Sequence, residues 1–118
     1  MNRIHTHLFL AAAASLAMCG QAKASEAVQR PKVDFHSCSQ PPWPAADLEA
    51  KHTGTVALRL NVSENGTVTA SSVDKTSGFD SLDEAARTSI AKCRFKPATK
   101  DGKAVAAEVV IFYVWTLE

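Results

Sequence analysis

The stretch Gly54-Thr55-Val56-Ala57-Leu58-Arg59-Leu60-Asn61-Val62-Ser63-Glu64-Asn65-Gly66-Thr67-Val68 decides the fold. Val56, Leu58, Leu60 and Val62 alternate with Ala57, Arg59, Asn61 and Ser63, the period of two that a strand shows when one face is buried. Asn65-Gly66 supplies the positive backbone angles of a tight hairpin turn, so residues 68–75 return as a second strand. Serines in that return, Ser71 and Ser72, give it the more exposed position.

Working outward, Ser77-Gly78-Phe79-Asp80 breaks the sheet, and Ser81 with Glu84 three residues on reads as a capping box. Leu82, Ala85, Ala86, Ser89, Ile90 and Cys93 fall within one arc of the helix that follows. Asp83, Glu84, Arg87, Thr88 and Lys92 fall outside it, so Cys93 is expected to point inward. After a turn at Lys100-Asp101-Gly102-Lys103, residues 106–117 are the longest β-prone run in the chain. Val110, Phe112 and Val114 share one face of that strand, and Val109, Ile111, Tyr113 and Trp115 share the other. Both faces are apolar although helices cover only one, an excess that argues for a partner. Upstream, Pro41-Pro42-Trp43-Pro44 forces an extended approach, and Pro44 can open a short helix through Ala45, Ala46, Leu48 and Ala50 that Gly54 stops.

The expected fold is α+β: a small three-stranded antiparallel sheet in the order second, first, third, with two helices packed on one face. Its last strand is then an edge, and a row of unpaired amide and carbonyl groups is a surface for adding another strand.

The chain has 118 residues, with 13 Lys and Arg against 12 Asp and Glu. Residues 1–24 read as a cleaved signal peptide: Arg3, His5 and His7 precede an apolar run over 8–18, and Ala22-Lys23-Ala24 ends it with small residues. That run is well short of the ~20 residues needed to cross a bilayer, which leaves no transmembrane helix in the mature chain. Leu16-Ala17-Met18-Cys19 has the outline of a lipoprotein cleavage site, but Met18 stands where Gly, Ala or Ser is normal, so lipid anchoring at Cys19 is set aside. Residues 25–39 are polar without a sustained period and read as a flexible leader, and residues 40–118 as the domain. Loss of Arg3 and Lys23 makes the mature chain near neutral, and nothing global points to nucleic acid or an anionic membrane.

Export also decides the cysteines. Only Cys38 and Cys93 remain after cleavage, and an even pair in an oxidising compartment is most simply a disulfide. It closes a loop of about 55 residues, worth roughly 3 to 4.7 kcal/mol in the chain-entropy account. A thiol nucleophile at Cys38 with His36 as base is not supported, because residues at that spacing do not converge on a reacting atom and no oxyanion site accompanies them. Cys38, His36 and His52 lack a recognised metal-ligand spacing. No catalytic residue, metal site or cofactor is therefore assigned, and the chain is not read as an enzyme. Lys92, Arg94, Lys96, Lys100 and Lys103 crowd the end of the helix and the loop after it, where cations suit a helix C-terminus and a solvated loop. Phe79 and Phe95 read as core. Trp43 can plug the end of the core or stack on a guest, and Tyr113 and Trp115 can meet the covering helix or a guest.

These pieces together resemble the C-terminal domain of TonB, the periplasmic energy transducer of Gram-negative bacteria. The resemblance rests on Gln40-Pro41-Pro42-Trp43-Pro44, Gly54-Thr55-Val56, Asn65-Gly66-Thr67-Val68, Ser77-Gly78-Phe79, Leu82-Asp83-Glu84-Ala85-Ala86, Arg94-Phe95-Lys96-Pro97-Ala98 and Val110-Ile111-Phe112, in that order. It implies a TonB/TolA C-terminal-like fold in the periplasm that binds the TonB box, an extended segment of an outer-membrane receptor, by β-strand addition beside the last strand. Carried onto this chain, the partner-binding positions are Gln40, Trp43, Ala107, Val109, Ile111, Tyr113 and Trp115, with Trp43 standing where the family usually has Tyr. The sequence contains nothing like the inner-membrane helix or long proline-rich spacer of a full transducer. The resemblance thus implies a binding module in TonB-dependent transport rather than energy transduction by this chain alone. The alternative is a stand-alone envelope interaction protein that forms a homodimer through the same edge strand.

Overall fold

A computed structural model describes residues 27–117. In chain order the elements are β1 (Val28–Gln29), β2 (Lys32–Asp34), a 3-10 turn (Phe35–Ser37), α1 (Ala45–Glu49), β3 (Gly54–Val62) and β4 (Val68–Lys75). There follow α2 (Asp80–Ile90), β5 (Arg94–Lys96), β6 (Ala98–Lys100), β7 (Lys103–Val105) and β8 (Ala107–Trp115). The putting-away of residues 1–24 as a signal peptide, and the lipid question at Cys19, lie outside the described residues. No helix among the described residues is long and apolar enough to cross a membrane.

The alternation in β3 does what its pattern predicts. Val56, Leu58, Leu60 and Val62 are buried and pack against Leu82, Ala86 and Ile90 of α2, with Phe95, Cys93 and Trp115 completing the cluster. Apolar area removed from water on this one face of the sheet is the main stabilising term. β3 lies between β4 and β8, antiparallel to both, which is the expected order second, first, third.

That sheet is not the whole β structure, and the expectation of a single three-stranded sheet is corrected here. Two smaller antiparallel sheets exist, β1-β6-β7 and β2-β5. Residues 27–38, read from sequence as part of a flexible leader, carry β1, β2 and the 3-10 turn. The physical reason is the chain after α2: its backbone groups need partners, and the leader supplies them, with Val33 opposite Phe95 so that both sit against the core.

Several local expectations also change. The hairpin turn spans Ser63 to Thr67, with the Gly66 N–H donating to the Ser63 carbonyl at 3.0 Å and the Ser63 N–H to the Thr67 carbonyl at 2.8 Å. Only Gly66 takes a positive φ, 82°, so this is a longer turn closed by a glycine bulge rather than a two-residue one. Gly66 is needed twice, because its carbonyl accepts the Phe95 N–H at 2.8 Å and a Cβ there would lie 2.1 Å from the Phe95 carbonyl oxygen. α1 ends on Lys51 in the left-handed region, φ 56°, rather than at Gly54. Its inward residue is Asp47, while Leu48 is 48% exposed.

The capping box is absent. The Ser81 hydroxyl donates to Asp47 at 2.5 Å and Glu84 pairs with Arg87, so neither side chain caps α2. Asp83, placed outside the inward arc by periodicity, is instead buried. Its carboxylate accepts the Ser77 N–H at 2.8 Å, the Ser77 hydroxyl at 2.6 Å and the Thr76 hydroxyl.

Candidate strand-docking site

β8 pairs with β3 residue for residue, from Gly54 opposite Trp115 to Val62 opposite Ala107, with no shift of register. Its other edge has no strand beside it among the described residues. β4, the opposite edge of the sheet, is a poorer template. Its register slips twice, leaving Thr69 and Asp74 as extra residues, and bulges of this kind twist an edge away from further pairing. Arg59 further locks the outer face by reaching Asp74 on β4 and Glu108 on β8.

The side chains of β8 divide by face. Val109, Ile111 and Tyr113 pack against the core, and Trp115 is 2% exposed. Phe112 and Val114 point the other way, 67% and 58% exposed. Of the positions assigned from sequence, Ala107, Val109, Ile111, Tyr113 and Trp115 therefore share the inner face and offer a guest chiefly their backbone edge. Phe112 and Val114 carry the exposed apolar surface. Their place on the second apolar face was the available signal, since helices can cover only one side of the sheet.

Gln40 and Tyr113, far apart in sequence, come together. A groove of about 250 Å³ is lined by Phe35, Cys38, Ser39, Gln40 and Pro41 of the approach segment together with Ile90 of α2 and Tyr113 of β8. Near the other end of β8, Arg30 overhangs a hollow of about 580 Å³ with Glu108, Val109, Val110 and Phe112. The open edge thus runs between two depressions. Arg30 in the second of these comes from the leader, which periodicity gave no reason to place beside β8.

Trp43 meets the core rather than the groove. Its ring sits edge-on to Trp115 at 5.1 Å, and Trp115 is likewise edge-on to Tyr113 at 5.0 Å. Such pairs add about 0.5–1.5 kcal/mol beyond area burial. Neither indole N–H has a hydrogen-bond partner.

The approach to the site is held by Cys38 and Cys93, joined by a disulfide with Cα atoms 4.7 Å apart. Cys38 is thus not a free thiol. Behind the site, Asp47 ties α1 to α2: it accepts the Ser81 hydroxyl and lies 2.8 Å from His52 Nδ1, and the His52 ring stacks on Phe79 at 3.9 Å. The Ser81 hydroxyl, and then His52, hold the Asp47 carboxyl below the usual carboxylate range. For Asp83, burial pushes the carboxyl up, but the Ser77 and Thr76 hydroxyls and the Ser77 N–H together outweigh it and hold it low. No group of three or more potential metal-ligating side chains occurs among the described residues.

This geometry defines a small α+β domain whose main sheet ends in a regular strand with one edge open among the described residues. The family described as Gram-negative bacterial TonB protein C-terminal matches residues 39–117, and the chain belongs to it. Among solved structures, the chain is similar to the solution structure of the Pseudomonas aeruginosa TonB C-terminal domain, with a TM-score of 0.58 and 22% identity over 76% of this chain and 89% of that one. At that identity the likeness concerns the fold. A comparison with curated proteins found no match.

Proposed function

We propose that this chain is an exported, periplasmic TonB-like binding module, cleaved after residue 24, that takes the TonB box of an outer-membrane receptor as an added strand on β8. The observation that carries the reading is the continuous, unbulged register of β8 on β3 with its far edge open between two depressions. Main-chain hydrogen bonds supply the affinity in this mode, and flanking pockets supply selectivity. Gln40 sits at the mouth of one such pocket and is exposed, so its amide can reach a guest's backbone. The inner-face side chains of β8 hold the strand flat and do not read the guest. No chemistry on the guest is involved.

Titration of isotope-labelled mature chain with synthetic peptides from the amino-terminal segments of outer-membrane receptors tests this. Expected are amide shifts confined to β8 and the segment around Gln40, lost when alternate guest amides are N-methylated in one register and kept in the other. Shifts elsewhere, or none with any peptide, overturn the reading.

A second reading, a homodimer through β8 without a receptor, is favoured by the exposure of Phe112 and Val114 beside the open edge. Sedimentation decides between them: a dimer that persists at low micromolar concentration and excludes the peptides supports the second, and a peptide-binding monomer the first.

A further inference from the structure

The segment that carries Gln40 is tethered in an unusual way. Residues 39–43 form no helix or strand and make no backbone hydrogen bond among the described residues. Their fixed points are at the ends. At one end is the Cys38–Cys93 disulfide, and at the other the Trp43 ring against Trp115, with only the buried Pro41 between.

The disulfide also ties the segment that lines the groove to the end of α2. Cys38 lines the groove together with Gln40, whereas Cys93 is buried one turn beyond Ile90, which also lines it, and the Cys93 N–H donates to the Ile90 carbonyl at 3.0 Å. The chain upstream has separate anchors that do not need the bond. β2 pairs with β5, and the Arg94 N–H donates to the Ser37 hydroxyl at 2.7 Å. Opening the disulfide would therefore leave the leader and the Trp43 ring in place and release chiefly the arm from Cys38 to Pro42.

Resting on the strand-docking reading, we propose that the Cys38–Cys93 disulfide is a positioning element for the guest, setting the width of the groove and holding Gln40 at its mouth before the guest arrives. Its contribution is preorganisation: an arm already ordered loses little freedom when the guest binds, and a free arm loses it at that moment. A released arm of about five residues lowers affinity by roughly tenfold or more.

The test uses mature chain and the synthetic receptor-segment peptide that binds it most tightly, with affinities from calorimetry. In the Cys38→Ser, Cys93→Ser chain, held at a temperature where it remains folded, the peptide is expected to bind ~tenfold or more weakly. Gln40→Ala should weaken binding in the disulfide-bonded chain and have little further effect without the bond, because the amide is no longer held in place. A second variant keeps the bond and its stability but inserts Gly-Gly between Ser39 and Gln40, and the same weakening is expected. Binding within twofold of the unaltered chain in either folded variant overturns the proposal while leaving strand docking intact. Failure of the unaltered chain to bind any peptide overturns both.

Discussion

Asp47 and Asp83 are the side chains whose roles differ most from their appearance in sequence. Each is a buried carboxylate of a helix held without a lysine or arginine: Asp47 by the Ser81 hydroxyl and the His52 ring, Asp83 by the Ser77 and Thr76 hydroxyls and the Ser77 N–H. Asp83→Asn weakens three hydrogen bonds that fix the turn into α2, and a loss of about 1–3 kcal/mol at pH 7 is expected in urea unfolding. The pH dependence has a definite sign. Both folded carboxyls titrate below their ordinary value of 3.8, so their stabilisation is complete above that value and is lost as pH falls through the lower folded values. Urea midpoints between pH 5 and pH 2 should fall less steeply for Asp83→Asn than for the unaltered chain. Gly66 gives a second residue-scale prediction by comparison with Gly102. Both have positive φ, 82° and 81°, but a Cβ at Gly102 meets nothing within 4 Å. Gly102→Ala is expected to cost about 1–2 kcal/mol from backbone conformation alone, and Gly66→Ala clearly more because of the close Phe95 carbonyl. Equal costs by thermal unfolding would contradict the role given to that approach.

Among the elements, the long ones were legible and the short ones were not. β3, α2 and β8 each run for at least two full periods of apolar residues, so periodicity identified them and their order. β2, β5, β6 and β7 have three residues each, too few to display a period, and their pairing depends on which distant backbone groups remain unpaired after the helix is formed. The capping-box reading failed for a different reason: the Ser81 hydroxyl is taken by Asp47 of α1, and the Glu84 carboxylate by Arg87 one turn further along α2 itself. The family resemblance singles out Gln40 next to its proline-flanked motif, whereas its closeness to Tyr113 comes only from the fold. One pairing gives an element-scale prediction. Lys32 stands directly opposite Lys96 across β2 and β5, and like charges so placed destabilise a ladder. Lys96→Glu is expected to raise stability by about 0.2–1 kcal/mol at low salt, with the gain shrinking at high salt.

At the scale of the whole molecule, the core under β3 and the Cys38–Cys93 link share the work of stability among the described residues. The disulfide spans 55 residues of sequence, and its removal is expected to cost roughly 3–4.7 kcal/mol, read as a lower urea midpoint under reducing conditions. Leu82, fully buried between α2 and β3, is a measure of the core itself. Leu82→Ala should cost about 2–5 kcal/mol, and its effect should add to that of disulfide removal if the two act independently.

Trp43 and Trp115 are both of the chain's tryptophans, and their rings lie within 5.1 Å of one another at a steep angle. Indoles so disposed couple through their intense far-ultraviolet transitions, giving a circular dichroism couplet of paired opposite signs that neither ring would give alone. Because one chromophore stands at the end of the arm and the other in the last strand, the molecule carries a label-free optical gauge of whether the two remain docked.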